Sequence, residues 1–187
     1  MVADVFVQAD GSKKSITEPG IGNYVTMLKA GALAWSLLGE SGARSLYVHA
    51  HGTGTPLNCS TEAKILQTVA AMLGNDVRLA VTSIKPYVGH SLGTAAGDQI
   101  AATLGAWQYG WVPGITTIDR VADCAAVPAL DVLTEAREIG AAEAVIINAK
   151  GFGGNTASAV LLSPEETLAK LEARYGSSDL TTYQHRR

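Results

Sequence analysis

The sequence has few cysteines, few charged residues and no long apolar run, and each shortage excludes a class of protein. Its 187 residues include only Cys59 and Cys124, whose spacing fits neither a CxxC metal pair nor a disulfide-dense scaffold, so we expect reduced thiols and a cytoplasmic protein. Charged residues make up 17% of the chain and the formal net charge is -3, which argues against nucleic acid as a partner because phosphate binding requires a basic face. With no signal pattern and no apolar run of transmembrane length, we expect no membrane contact.

Glycine and apolar residues are, by contrast, abundant. The 20 glycines and 47% apolar residues predict a well-buried α/β domain. No repeat, low-complexity tract or linker divides the chain, so we assign residues 1–175 to one domain and 176–187 to a polar, frayed tail. Strand-forming residues begin almost at Met1 without a capping lead-in, which is typical of the middle of a longer protein.

Apolar spacing and turn residues predict strands and helices along the chain. The Ala- and Gly-rich segment 91–109 predicts a helix that is buried on nearly all sides, since its small side chains need close neighbours. Ser60 and Thr61 are candidate N-caps of a helix from about Glu62 to Leu73. The other predictions are helices over 23–38 and 164–175, strands over 46–48, 79–83 and 144–148, a hairpin partner of the last strand over 156–162, and a short strand or turn near 130–133.

Three predicted strand ends open into loops that carry reactive or glycine-rich residues. They lie at 46–57 (LYVHAHGTGTPL), 80–90 (AVTSIKPYVGH) and 145–155 (VIINAKGFGGN). Because ligands of open α/β sheets bind where strands end, these junctions predict one pocket at one edge of the sheet.

Two histidines and a lysine are the candidate reactive groups. A neutral His51 can donate Nε2–H to a developing oxyanion when its other ring nitrogen is held as an acceptor. Lys85 disfavours a charged imidazole at His90 by like charge, which keeps that ring a hydrogen-bond donor to an enolate. The alternatives are a structural, hydrogen-bonded histidine at position 51 and an exposed lysine near a helix-capping histidine.

Other polar side chains near the first junction are candidates for ligand binding or for support of the site. Thr53 and Thr55 offer hydroxyls to an amide-rich ligand such as a pantetheine arm, or they only satisfy the loop. Glu62 is a candidate partner of Lys85, or a solvated glutamate in the first turn of a helix.

The GFGG run at the third junction is a further candidate. Phe152 can rotate between its glycines and gate the pocket, and backbone N–H groups around Gly153 can point into an oxyanion site. The alternative is a plain glycine turn.

Metal binding and thiol chemistry have weaker support. His49 and His51 form an HxH pair, but no third ligand lies at convincing spacing, so we expect no metal site. Cys59 and Cys124 are weak nucleophile candidates, since neither follows a glycine-rich elbow that would expose and activate a thiolate.

The three junctions together resemble a known family. HGTGTPL followed by Glu62, then TSIKPYVGHSLGTAAG and NAKGFGGNTAS, in that order, are similar to motifs in the C-terminal half of β-ketoacyl-acyl carrier protein synthases, the condensing enzymes of fatty acid and polyketide synthesis. The resemblance covers roughly residues 15–162. It implies one half of a thiolase-like α/β fold: a mixed sheet with helices on both faces and a buried, Ala/Gly-rich central helix.

The resemblance also implies a reaction and a role for each motif residue. The family decarboxylates malonyl-carrier protein and joins the resulting enolate to an acyl group held on a cysteine. By resemblance, His51 and His90 act at the malonyl thioester carbonyl, and Lys85 supports the site electrostatically. The remaining implied roles are structural support by Glu62, pantetheine contacts by Thr53 and Thr55, and gating with an oxyanion N–H at Phe152 and Gly153.

Several residues depart from the family pattern. Asn58-Cys59 replaces the usual Gly-Asp, Lys150 stands where Phe is most common, and Asn155-Thr156 reverses the usual order. These differences indicate a divergent subgroup. The nucleophilic cysteine belongs to the family's first half, and nothing in this sequence resembles the motif around it.

The favoured hypothesis is therefore the C-terminal half of a condensing enzyme, completed by an N-terminal half that supplies the cysteine. Expected partners are that half, an acyl carrier protein, and other whole synthase units in a homodimer or heterodimer. The alternatives are a non-catalytic, chain-length-factor-like subunit paired with a complete synthase, and a stand-alone malonyl-thioester decarboxylase. We expect no cofactor apart from the pantetheine arm of the carrier protein.

Overall fold

The structure, a computed structural model, describes residues 1–10, 20–138 and 142–186. Its strands are β1 (Val2–Ala9), β2 (Tyr47–His49), β3 (Leu79–Thr82), β4 (Trp111–Val112), β5 (Leu130–Val132), β6 (Arg137–Glu138), β7 (Ala144–Gly151) and β8 (Asn155–Leu162). Its helices are α1 (Ile21–Ser45), α2 (Pro56–Leu73), α3 (Lys85–Val88), α4 (Ala95–Tyr109), α5 (Pro164–Tyr175) and α6 (Ser177–His185). Together they form the predicted mixed sheet with helices on both faces.

One six-stranded sheet organises these elements, in the order β1-β8-β7-β2-β3-β5. The strands β7, β2, β3 and β5 run parallel, whereas β8 pairs antiparallel with both β7 and β1. Because parallel strands point the same way, the carboxyl ends of β2, β3 and β7 meet at one edge of the sheet. The strands β4 and β6 form a separate two-stranded ribbon.

Apolar side chains of the central strands alternate between two cores, one on each face of the sheet. On one face, Val48, Ile146 and Val160 pack with residues of α1 and α2. On the other face, Tyr47 and Val145 pack with residues of α4. Each large aliphatic side chain contributes about 1.5–3 kcal/mol by leaving water. Burial on both faces therefore fixes the strand ends that carry the predicted pocket.

Most of the predicted elements are confirmed. The strands β7 and β8 form the predicted hairpin, and α5 occupies the predicted range with Ser163 as its N-cap. Gly39, with φ 68°, interrupts α1 where the helix was predicted to end, although helical residues continue to Ser45.

The start of α2 differs from the prediction. Pro56 begins the helix, and Thr55 is its N-cap, with Oγ1 accepting a backbone N–H of the first turn at 3.3 Å. The predicted caps Ser60 and Thr61 lie inside the helix, where their hydroxyls donate to a carbonyl of the preceding turn. The helix starts early because proline has the φ of a first helical residue and needs no N–H partner there.

The Ala/Gly-rich helix α4 is present, but in this chain it is buried along one face only. Ala95, Gln99, Thr103 and Ala106 are buried, whereas Leu104 is 56% exposed. Burial on nearly all sides, as the sequence predicted, would require a further layer of structure on the outer face of α4.

Two short helices occur where the sequence predicted none. Residues 177–185 form α6, so most of the segment predicted to be a frayed tail is helical. The helix α3 is a single turn with Pro86 near its start, and Gly89, at φ 76°, ends it. Of the helices in the described ranges, none combines the length and hydropathy needed to span a bilayer.

Cys59 and Cys124 form a disulfide, with Cα atoms 6.1 Å apart. The prediction of two reduced thiols is therefore wrong. The bond joins the first turn of α2 to the loop between β4 and β5, and a separation of 65 residues does not reveal such proximity from sequence. With both sulfur atoms bonded, neither cysteine is available as a nucleophile.

Candidate active site

A cavity of about 430 Å³ lies at the sheet edge where β2, β3 and β7 end. Its described lining residues are His51, Thr53, Thr55, Asn58, His90, Leu92, Gly93, Lys150, Gly151 and Phe152. Three distant chain segments thus form one pocket, which includes both predicted histidines, both predicted threonines and Phe152. Lys85 and Gly153 are not among the described residues that line it.

His51 is buried at the cavity wall and held in a defined orientation. The backbone N–H of Lys150 donates to its Nδ1 at 3.2 Å, so the proton of a neutral ring is on Nε2. Burial, followed by the charge of Lys85, lowers the pKa of His51 to about 4, and the ring is therefore neutral at pH 7. Its Nε2 has no hydrogen-bond partner within the described ranges, which leaves this N–H available to a ligand.

His90 lies beside His51 at the same cavity. The two ring centroids are 5.3 Å apart and the rings are inclined by 80°. The Nδ1 of His90 accepts the backbone N–H of Leu92 at 3.1 Å, so a neutral ring again carries its proton on Nε2. Among the described non-glycine residues, Leu92 alone has a positive φ, which is 58°. Such backbone strain, of order 1–3 kcal/mol, is often found at functional sites.

Glu62 is a buried carboxylate that holds the loop after β2. Its oxygens accept the backbone N–H groups of His51 at 2.7 Å and Gly52 at 3.0 Å. They also accept side-chain N–H groups of Asn58 at 3.0 Å and Asn148 at 2.7 Å. Gly52 turns its N–H toward this carboxylate with a φ of 55°, a conformation that favours glycine.

Neighbouring charge keeps Glu62 ionised. Burial, the largest effect, would raise its pKa, but the ammonium of Lys150 and the N–H groups of Gly52 and His51 outweigh burial. The pKa of Glu62 therefore lies below its ordinary value. An ionised carboxylate accepts all of these N–H groups, and a protonated one would lose part of them.

Lys85 lies behind His51, outside the cavity lining. Its Nζ donates to the backbone carbonyl of His51 at 2.5 Å. Burial lowers the pKa of Lys85, and the charges of Glu62 and Asp98 partly offset this effect. Within the described residues no ion pair joins Lys85 to Glu62, so the direct contact considered from the sequence is absent and the two interact through space.

The threonines and the GFGG turn lie at the mouth of the cavity. Thr53 and Thr55 both line it, although Thr55 also caps α2. Phe152 is 75% exposed, in a one-turn 3-10 helix where Gly153 has a φ of 81°. An exposed ring between glycines has room to move, as the gating hypothesis requires.

Sequence reasoning missed Asn58 and Lys150 as site residues. Both line the cavity, and Lys150 Nζ donates to Asn58 Oδ1 at 3.2 Å. Burial lowers the pKa of Lys150, with Glu62 acting in the opposite direction. The sequence offered one signal, since both residues depart from the family pattern. Their contact joins residues 92 positions apart, so it could not be predicted from local sequence.

The HxH pair does not act as a unit. His51 faces the cavity, whereas His49 is fully buried and packs edge-on against Tyr47, with ring centroids 5.6 Å apart. Within the described ranges, no group of three or more His, Cys, Asp or Glu side chains is arranged to hold a metal ion.

Comparison with known proteins identifies the chain's relatives. The family model described as beta-ketoacyl synthase, C-terminal domain, matches residues 1–119. The β-ketoacyl-[acyl-carrier-protein] synthase FabY of Pseudomonas aeruginosa is 46% identical over the whole chain. The ketoacyl synthase α subunit of the tetracenomycin polyketide synthase from Streptomyces glaucescens is 34% identical over 65% of the chain and 27% of that subunit.

Solved structures agree in fold. The crystal structure of FabY from P. aeruginosa superposes with a TM-score of 0.91 over 100% of this chain and 29% of that one, at 46% identity. A ketosynthase from module 6 of the bacillaene synthase of Bacillus subtilis has a TM-score of 0.67 over 87% of this chain and 30% of that chain, at 22% identity, which shows similarity of fold alone. The predicted thiolase-like fold class is confirmed.

The match with FabY covers very different shares of the two chains. This chain is covered completely by FabY but spans only 30% of the length of FabY. The family model covers more than half of the chain and includes His51, Lys85 and His90. The chain therefore belongs to the β-ketoacyl synthase family and contains its C-terminal domain.

Proposed function

We propose that this chain is the part of a β-ketoacyl-acyl carrier protein synthase that binds the malonyl thioester and drives its decarboxylative condensation with an acyl thioester, in fatty acid or polyketide synthesis. The nucleophilic cysteine would come from an N-terminal half. The observation that carries the proposal is the pair of imidazoles at one cavity, each with Nδ1 occupied by a backbone N–H.

The two histidines suit the step that forms the enolate. Loss of CO₂ from the malonyl group moves an electron pair toward the thioester carbonyl, whose oxygen becomes an oxyanion. His51 and His90, each with Nδ1 accepting a backbone N–H, can each donate Nε2–H to that oxygen, and such preorganised donors cost no reorganisation when the charge develops. The enolate carbon then attacks the acyl thioester on the cysteine, which departs as a thiolate.

Lys85 supports this step without contacting the substrate. Its ammonium holds the carbonyl of His51 and disfavours protonation of the ring. An imidazolium at position 51 would still donate from Nε2, but its Nδ1 would also carry a proton and could no longer accept the backbone N–H of Lys150 that orients the ring.

The carrier protein is the proposed partner at the cavity mouth. The hydroxyls of Thr53 and Thr55 offer hydrogen bonds to the amides of a pantetheine arm, and Phe152 with Gly153 would gate entry of the thioester. No other cofactor is proposed, because the donors at the cavity are imidazole, hydroxyl and amine groups suited to an oxyanion. Assembly into dimers of whole synthase units and a cytoplasmic location stay predictions.

A non-catalytic, chain-length-factor-like subunit is the alternative. A subunit that only shapes a partner's pocket needs no preorganised pair of imidazole donors. The orientation of both rings therefore favours the catalytic proposal.

The first testable prediction concerns these two rings. In the complete synthase, His51→Ala or His90→Ala should each lower the rate of condensation on the order of 100-fold or more, because each removes an oxyanion donor. The rate would be measured with malonyl-acyl carrier protein and an acyl thioester. His185→Ala, at an exposed position on α6, is the matched control and should leave the rate unchanged.

Two results would contradict the proposal. An unchanged rate in both variants would remove the imidazoles from the mechanism and favour the non-catalytic alternative. Mass spectrometry of trapped acyl-enzyme should place the acyl group on the N-terminal half, and an acyl group on Cys59 or Cys124 would also overturn the assignment.

A further inference from the structure

Two cavity residues that depart from the family's usual pattern, Asn58 and Lys150, contact each other. Lys150 Nζ donates to Asn58 Oδ1 at 3.2 Å, and Asn58 Nδ2 donates to Glu62 at 3.0 Å. Glu62 in turn accepts the backbone N–H of His51 at 2.7 Å. We call this chain of hydrogen bonds, Lys150–Asn58–Glu62, the relay.

The relay closes a ring of contacts around His51. The backbone N–H of Lys150 fixes the imidazole at Nδ1, while its side chain acts on the main chain of His51 through Asn58 and Glu62. One residue of β7 thus reaches both ends of the same histidine. A substitution at position 150 removes the second route and keeps the first, because only the side chain changes.

Charge makes the Lys150 side chain important to Glu62. The ionisable groups that face Glu62 are Lys150 on β7, Lys85 on α3, and His51 after β2. Lys85 donates a hydrogen bond to the carbonyl of His51, and its charge also interacts with that of Asp98. Lys150 is 6% exposed, so the hydrogen bond of its ammonium to Asn58 replaces hydrogen bonds to water. A buried carboxylate that loses its cation is strongly destabilised.

We propose that Lys150 is a positioning residue, which uses the relay to hold the main chain of His51 so that its Nε2–H points into the cavity. The inference rests on the proposed condensing function for its kinetic test only. Direct binding of the substrate by the ammonium is the competing role, since Lys150 also lines the cavity. The geometry favours positioning because Lys150 is buried as a residue and its Nζ already donates to Asn58.

The test compares four variants of the complete synthase in decarboxylation of malonyl-acyl carrier protein. Lys150→Met keeps the length of the side chain and removes its charge. Lys150→Arg keeps the charge. Asn58→Leu cuts the relay while Lys150 is retained, and Lys64→Met, at an exposed position on α2, is the matched control.

Positioning predicts a loss in kcat with little change in KM. Lys150→Met and Asn58→Leu should each lower kcat on the order of 10- to 100-fold, as expected when a donor is displaced by about 1 Å. The acid limb of the pH profile should move to higher pH in Lys150→Met, because the pKa of Glu62 rises without the cation. Lys150→Arg should restore the acid limb, and Lys64→Met should match the wild type.

Other kinetic results would overturn the proposal. A rise in KM at constant kcat would mean that Lys150 binds substrate directly. An unchanged kcat and pH profile in Lys150→Met would mean that the relay does not position His51.

Amide hydrogen exchange tests the relay independently of turnover. In Lys150→Met, a peptide spanning residues 50–55 should exchange about 10-fold faster than in the wild type. Without the neighbouring cation the Glu62 carboxylate is protonated more readily, and it then accepts the N–H groups of His51 and Gly52 less well. Equal exchange in the two proteins would contradict the relay. A wild-type synthase without decarboxylation or condensation would instead contradict the proposed function, and the exchange result would then decide the relay alone.

Discussion

His49 and His51 are neutral for the same physical reason but lie in different surroundings. His51 faces the cavity with an unpartnered Nε2, and His49 is enclosed beside Tyr47 with neither ring nitrogen bonded within the described ranges. Burial, then the charge of Lys85, lowers the pKa of each to about 4. A charged imidazole is therefore costly at either position, which makes the folded state sensitive to acid.

We expect the free energy of unfolding to fall as the pH falls from 6.5 toward 4. In this window the unfolded chain binds a proton at each imidazole, whereas folded His49 and His51 stay neutral down to about pH 4. Unfolding takes up these protons, so stability decreases by up to about 1.4 kcal/mol per pH unit for each histidine. Urea denaturation of the purified chain between pH 7 and pH 5 measures the slope.

Two substitutions separate the buried rings from the exposed histidine. His51→Gln should reduce the slope, because one titrating group is removed. His185→Gln, at an exposed position, should leave it unchanged. A wild-type stability that is flat over this window would contradict the neutral, buried imidazoles.

At the residue scale, sequence motifs predicted the members of the site better than their contacts. His51, His90, Thr53 and Thr55 reach one cavity, because strand ends of a parallel sheet meet at one edge. The partner of Glu62 was not predictable: four N–H donors from three chain segments surround it. Such a cluster depends on how the elements pack and leaves no local pattern in the sequence.

Helix α2 shows how one residue at the start of an element links the fold to the site. The Oγ1 of Thr55 caps α2, and the same residue lines the cavity. The first turns of α2 then carry Asn58 and Glu62 to the loop after β2. The geometry around His51 therefore depends on the residue at which this helix starts.

Thr55→Ala should destabilise the chain by about 1 kcal/mol, because a backbone N–H at the start of α2 loses its acceptor. For a domain of this size the melting temperature should fall by about 2–4 °C. Ser60→Ala is the matched control: the hydroxyl of Ser60 lies inside the helix, so its loss should change stability by less than about 0.5 kcal/mol. Equal effects of both substitutions would restore Ser60 as a cap.

The elements that were predicted correctly have strong local signals. The strand β7 contains the β-branched run Val145, Ile146 and Ile147, β8 starts with alternating buried and less buried residues, and α5 has a capping serine followed by proline. The misplaced start of α2 has a local cause too, since Thr55-Pro56 and Ser60-Thr61 are both acceptable caps. The disulfide between Cys59 and Cys124 has no local signal, because it depends on the path of the loop between β4 and β5.

At the scale of the whole molecule, one face of the sheet is covered more completely than the other. Helices α1 and α2 bury one face, whereas α4 covers the other with its own outer face exposed. Leu104 and Tyr109 of α4 are 56% and 74% exposed. The chain spans 30% of the length of FabY, so a further layer from an N-terminal half is the occupant that fits the proposed function.

Leu104→Glu should prevent assembly with the N-terminal half and leave the chain itself folded. A carboxylate at this exposed position costs little in the chain alone, but it would be buried without a partner when a second layer packs on α4. Leu168→Glu makes the same change on α5, where Leu168 is 39% exposed, and should assemble normally. Co-purification of the two halves measures assembly, and circular dichroism checks the fold of each variant. Normal assembly of Leu104→Glu would show that the outer face of α4 is not the contact surface, and the N-terminal half would then have to complete the site from another side of the sheet.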